Sequence, residues 1–151
     1  LSEDPDLNLT TYSNYLETQS NSKQLPRLVA GSWVYGSFST WMGDPDKNRA
    51  WDLLCEAKLA YDAHLQAPPD AASNPELLKQ LAVCEGSDWF WWFGDYNSSS
   101  SVRDFDDLYR LNLQNLYRLM DRSPPAELDE PISKGTESSE TEAGGVMRRG
   151  G

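Results

Sequence analysis

Twice in this chain a capping residue is followed at once by proline, at Asp44-Pro45 and at Asn74-Pro75. Asp and Asn side chains accept hydrogen bonds from the unpaired N–H groups of a first helical turn. Proline fits the first helical position because its missing N–H costs nothing there. Behind the first signal, Trp51, Leu54, Cys55, Lys58, Tyr61 and Leu65 recur at steps of three and four to about Gln66. Only Lys58 interrupts that apolar stripe, and its stem can lie along the edge of a core. The run 67–73 ends this helix. Behind the second signal, Leu77, Leu78, Leu81 and Ala82 form a face that can run on toward the tryptophans at 89–92. A further helix is predicted over 102–121, with Ser101 and Asp104 resembling a capping box and Phe105, Leu108, Tyr109, Leu116, Tyr117 and Met120 as its stripe. A short helix fits 9–19, capped by Thr10 or Thr11, with Tyr12, Tyr15 and Leu16 on one face.

The remaining segments are of three kinds. Residues 20–26 read as a linker. Residues 27–43 are apolar but broken by Gly31, Gly36 and Gly43, which suits an ordered aromatic loop. From Arg122 onward Pro, Glu, Ser, Thr and Gly dominate, and such a segment buries too little surface to offset its ordering entropy. No internal repeat or heptad run is present. The expected class is all-α: a small helical bundle of about three main helices with aromatic loops and a disordered C-terminal tail. The expected division is a helical domain over 1–122 and an acidic, mostly disordered tail over 123–151.

Charge narrows the partners. The 151 residues carry 13 Lys and Arg against 24 Asp and Glu, a formal charge of −11. Binding led by nucleic-acid phosphates needs the opposite balance, and anionic lipid repels such a surface. No apolar run approaches a membrane span and no signal peptide is visible, so a cytoplasmic chain is expected. The first residue is Leu, as in an excised piece or a processed chain. Cys55 and Cys84 are too few for a disulfide framework and read as reduced, buried thiols.

Most catalytic chemistry fails on its requirements, and no catalytic residue, metal ligand or cofactor is assigned. The single histidine, His64, lies inside the long helix with no activated Ser or Cys beside it. Asp44, Asp46 and Asn48 match the start of a calcium loop, but Arg49 and Cys55 stand where the glycine and the bidentate acid are needed. Asp95, Asn97, Ser99 and Asp106 fit the spacing better, with only two carboxylates and Ser100 in the glycine position. No glycine-rich segment has the phosphate-binding spacing. Two sequons, at Asn8 and Asn97, are read as chance. The acids Asp104, Asp106 and Asp107 suit the first turn of a helix, where negative charge complements the macrodipole.

The remaining signal is the indoles. All six tryptophans fall in two windows: Trp33, Trp41 and Trp51, then Trp89, Trp91 and Trp92. Such residues build cores, and Trp51, Phe90 and Phe93 fit that role. Others stand beside small polar residues, in 31–33 (GSW), 41–44 (WMGD) and 85–92 (EGSDWFWW). An exposed indole face can cover the C–H face of a sugar ring while a carboxylate accepts hydrogen bonds from its hydroxyls.

Four ordered segments, 31–43 (GSWVYGSFSTWMG), 44–54 (DPDKNRAWDLL), 85–95 (EGSDWFWWFGD) and 105–117 (FDDLYRLNLQNLY), resemble the C-terminal, mainly helical part of glycoside hydrolase family 57. The resemblance covers roughly 9–132, including 124–132 (PPAELDEPI). It implies a region that packs on a (β/α)7 barrel and completes an α-glucan cleft. The family's barrel carries a Glu nucleophile and an Asp acid, and its motifs are missing from this chain. The resemblance makes Trp33, Asp88 and Trp89, with Trp41 and Glu85, contacts for an α-glucan or maltooligosaccharide. The chain itself would be non-catalytic, with the missing barrel as its partner. The alternatives are a protein-interaction module with an exposed aromatic patch, or a small hydrolase using Glu85 or Asp95.

Overall fold

The structure, a computed structural model, describes residues 4–19, 23–66, 74–95 and 97–135. Five α-helices and one 3-10 helix occur among the described residues: α1 (Tyr12–Thr18), α2 (Pro45–Leu65), α3 (Pro75–Cys84), α4 (Asp88–Trp92), α5 (Ser99–Leu119) and the 3-10 turn Ala126–Asp129. No strand occurs among these residues. The class is all-α, as the spacing predicts. The chain divides into two compact units, Leu1–Ala30 and Gly31–Gly151, so the N-terminal boundary falls inside the helical domain expected over 1–122.

The first unit holds α1, capped by Thr11, whose hydroxyl oxygen accepts from the Asn14 N–H at 3.2 Å. Its predicted apolar face exists, but Tyr12, Tyr15 and Leu16 are all exposed. Part of the predicted linker, residues 20–22, lies outside the described residues, as does the segment 67–73 between α2 and α3.

In the second unit both cap-proline signals start helices as expected. Asp44 accepts from the Asp46 and Lys47 N–H groups, and Asn74 from those of Glu76 and Leu77. The buried side of α2 runs through Lys47, Ala50, Leu53, Leu54, Ala57 and Tyr61, rotated from the stripe drawn through its larger residues. Small Ala50 and Ala57 let a neighbouring helix approach closely. Cys55 is therefore exposed rather than buried, and Lys58 pairs with Asp62 at the surface. Cys84 is buried, and both thiols are free.

α5 packs against α2, α3, α4 and the 3-10 turn. At its centre Tyr109 is fully buried, and its hydroxyl donates to the Ala50 carbonyl at 2.9 Å. Phe90, Phe93, Leu113, Leu116 and Leu128 close around it in one core, each contributing roughly 1.5–3 kcal/mol through burial. α5 starts at Ser99, three residues before the predicted start, and Ser98 caps it without a side-chain bond. Its acids consequently leave the first turn. Asp106 is buried, where macrodipole complementarity does not reach. It accepts from Arg110 at 2.7 Å and from the Ile132 and Ser133 N–H groups at 2.8 and 3.0 Å.

That carboxylate explains a second correction. Residues 123–135, expected in a disordered tail, are folded onto α5. Leu128 enters the core, and its carbonyl accepts from Arg110 and Gln114. Buried Ser133 donates to Asp46 at 2.7 Å and accepts from the Gly94 N–H at 3.1 Å. Two apolar anchors, Leu128 and half-buried Ile132, together with a buried hydrogen-bond network order a segment whose composition reads as unfoldable. Residues 136–151 of the expected tail lie outside the described residues. Among the described residues, no helix is long and apolar enough to cross a membrane.

Candidate functional site

The helix α4 has five residues, and its side chains diverge. α3 ends at Cys84, with Glu85 as its C-cap, so the helix does not run on into the tryptophans. Phe90 points into the core and stacks on Trp51, with ring centroids 3.7 Å apart and planes 3° from parallel. Trp89 and Trp92 both lie against Phe105. Trp91 turns the other way, toward the loop 31–43. The buried Asn97 side chain donates to the Trp91 and Trp92 carbonyls at 3.3 and 2.8 Å and so closes the end of α4.

The loop 31–43 is a chain of tight turns, anchored by buried Val34. The Ser32 hydroxyl oxygen accepts from the Val34 N–H at 3.1 Å and lies 2.5 Å from the Ser37 carbonyl oxygen. Gly31 is required there, because a Cβ would stand 2.5 Å from the Gly36 carbonyl oxygen. Tyr35 (φ 52°) and Gly36 (φ 67°) are both left-handed, a costly state for tyrosine. Backbone strain of this kind gathers at functional sites.

The loop presents Trp33 with 78% of its surface exposed. Trp33 lies over Trp91 at 6.3 Å between centroids and 13° between planes. Trp41 meets Trp91 edge-on at 5.7 Å and 60°. The three indoles thus form one platform in which Trp33 is exposed and Trp41 and Trp91 are half-buried, and Tyr35, Phe38 and Met42 of the same loop are also exposed. Two of the sequence-predicted residues, Trp33 and Trp41, are brought together by a third, Trp91, to which the motif reading gave no role.

The other candidates stand elsewhere. The Trp89 N–H donates to the Val83 carbonyl at 2.8 Å, and its ring packs on Phe105 and Tyr109. A Cβ at Gly86 would lie 3.2 Å from the same Val83 carbonyl oxygen, a tight contact beside the indole N–H that bonds it. Asp88 opens α4, and both it and Glu85 are exposed.

Sequence reasoning also missed Lys47. It is fully buried, and its Nζ donates to the Thr40 and Phe90 carbonyls, each at 2.5 Å. Burial pushes its pKa down from 10.5 to about 8, against the pull of the Asp44 charge. Burial acts oppositely on the acids of the core: the Cys84 thiol is pushed up to about 11, and the Tyr109 hydroxyl far above its ordinary value. Such a thiol is a poor nucleophile.

Among the described residues, no group of three or more His, Cys, Asp or Glu side chains could hold a metal ion. Of the two calcium-like patterns, Asp44 is engaged in capping α2 and Asp106 in the network on α5. His64 lies half-buried in the last turn of α2. Comparison of the chain with protein-family models, with curated proteins and with solved structures finds no match.

Proposed function

We propose that this chain is the non-catalytic helical part of an α-glucan-active glycoside hydrolase or transglycosylase, similar to family 57, and that it contributes an aromatic wall to the substrate cleft. The observation that carries this reading is Trp33: a strained, glycine-dependent loop holds it 78% exposed against Trp91. A core residue gains from burial, whereas this one is kept in solvent by a backbone that costs energy to form. The outer indole face suits the C–H face of a glucose ring. Trp41 forms a second wall, and the exposed carboxylates of Glu85 and Asp88 can accept from hydroxyls farther along a chain. Trp89 belongs to the support. The (β/α)7 barrel bearing the catalytic Glu and Asp is the implied partner, and a cytoplasmic location goes with this reading.

Each stacking contact contributes on the order of 1 kcal/mol, so the isolated chain binds weakly. Millimolar maltoheptaose is expected to shift the indole N–H signals of Trp33, Trp41 and Trp91, and Trp33→Ala to abolish the response. Unmoved signals at that concentration refute the proposal for the isolated chain. The exposed Tyr35, Phe38 and Met42 favour a second reading, a protein-docking face. Sedimentation separates the two: a dimer that Trp41→Ala dissociates, with no sugar response, supports docking.

A further inference from the structure

We propose that Lys47 and, one helical turn later, Trp51 are positioning residues that set the geometry of the Trp33–Trp91–Trp41 platform. The inference rests on the reading of that platform as the contact surface. Trp41 and Trp91 lie on segments about fifty residues apart in sequence, so something must fix their separation. The two carbonyls held by the Lys47 ammonium, on Thr40 and Phe90, belong to the residues immediately before Trp41 and Trp91. Trp51 grips the same two segments: its N–H donates to the Trp41 carbonyl at 2.9 Å, and its ring stacks on Phe90. Two side chains at i and i+4 on α2 therefore register the loop against α4.

The choice of groups argues that direction, not cohesion alone, is maintained here. A methionine of similar length would fill the Lys47 site without the cost of burying an ammonium. A phenylalanine at 51 would keep the stack on Phe90. Neither could hold a carbonyl, and a hydrogen bond fixes distance and angle where apolar packing tolerates slippage. The counter-charge for Lys47 is Asp44, at the cap of the same helix.

The test uses the full chain labelled with 15N, with the indole N–H signals read in the absence of sugar. Trp89, anchored on Val83 and Phe105, is the internal reference. In Lys47→Met the Trp33, Trp41 and Trp91 signals are expected to move or broaden while Trp89 and the helical circular dichroism stay in place. A folded Lys47→Met whose platform signals keep their wild-type positions overturns the proposal. If that variant loses its helical signal, Trp51→Phe decides: displaced Trp41 and Trp91 signals beside an unmoved Trp89 support the proposal, and unmoved ones overturn it. Maltoheptaose titration of the same variants is expected to show about tenfold weaker binding. A wild-type chain blind to the sugar would remove the glucan reading, while the sugar-free spectra still judge the positioning role.

Discussion

Trp51 and Trp33 are indoles from one stretch of chain, yet one lies 3.7 Å from a fully buried phenyl ring and the other leaves 78% of its surface in solvent. The core-facing group comprises half-buried Trp51, Trp89 and Trp92 around Phe90, Phe105 and Tyr109. Ring contacts fill it and apolar burial holds it. The open group comprises exposed Trp33 with half-buried Trp41 and Trp91 behind it, and backbone devices hold it: Gly31 against Gly36, Ser32 against Ser37, and Lys47 across two carbonyls. The difference separates indoles packed mainly against other rings from an indole held in solvent by a strained loop.

Mutation can break that contrast, most strongly in the core-facing group. Phe90→Ala empties a site at the centre of the core and is expected to lower stability by about 3–5 kcal/mol, read from urea unfolding. A loss under 1 kcal/mol would mean that the core closes without that ring. Gly31→Ala attacks the open group through its backbone. The added Cβ must displace the Gly36 carbonyl, at an expected cost of about 1–3 kcal/mol, with the Trp33 indole signal shifted. Unchanged stability with an unmoved signal would show that the loop relaxes freely.

Titration sharpens the contrast, because the two groups carry ionisable residues of opposite sense. Folded Lys47 releases its proton near pH 8, whereas the unfolded chain keeps it toward 10.5. Across pH 8–9 the unfolded state therefore binds more protons, and stability rises by on the order of 1 kcal/mol. Above pH 9 the buried Cys84 and Tyr109 keep protons that the unfolded chain loses, which first offsets and then outweighs the Lys47 contribution, so stability falls toward pH 10.5. Urea midpoints at pH 7.5, 9 and 10.5 should show a rise and then a decline, and Lys47→Met should remove the rise and steepen the decline. A steady decline from pH 7.5 contradicts this assignment. The smallest effect belongs to Trp33→Ala, which should change stability by less than about 0.5 kcal/mol while abolishing the maltoheptaose response. A loss above 2 kcal/mol would return Trp33 to the structural class.

Much of the frame was legible in the sequence. Caps at Thr11, Asp44 and Asn74 are local, because the side chain bonds N–H groups two or three residues away. The stripes were legible in outline, yet Leu78 and Leu108 are exposed while Ala50, Ala57 and Leu113 are buried. Periodicity marks a face but not which neighbour presses on it. Of the residues proposed for the site, Trp33 and Trp41 stand out in the sequence and Trp91 and Lys47 do not, while the Trp89 N–H is turned to the Val83 carbonyl. Exposure of one indole among six depends on what stands opposite it, and nothing nearby in the chain records that.

Composition and spacing alone determined that this chain is helical, acidic and rich in clustered indoles, because those properties arise within a few residues. Only the tertiary structure decided which indole is left exposed, that Asp106 holds Ile132 and Ser133 on α5, and that one lysine ties two distant carbonyls. Those outcomes depend on groups tens of residues apart meeting in a space too dry to leave a polar atom unpaired.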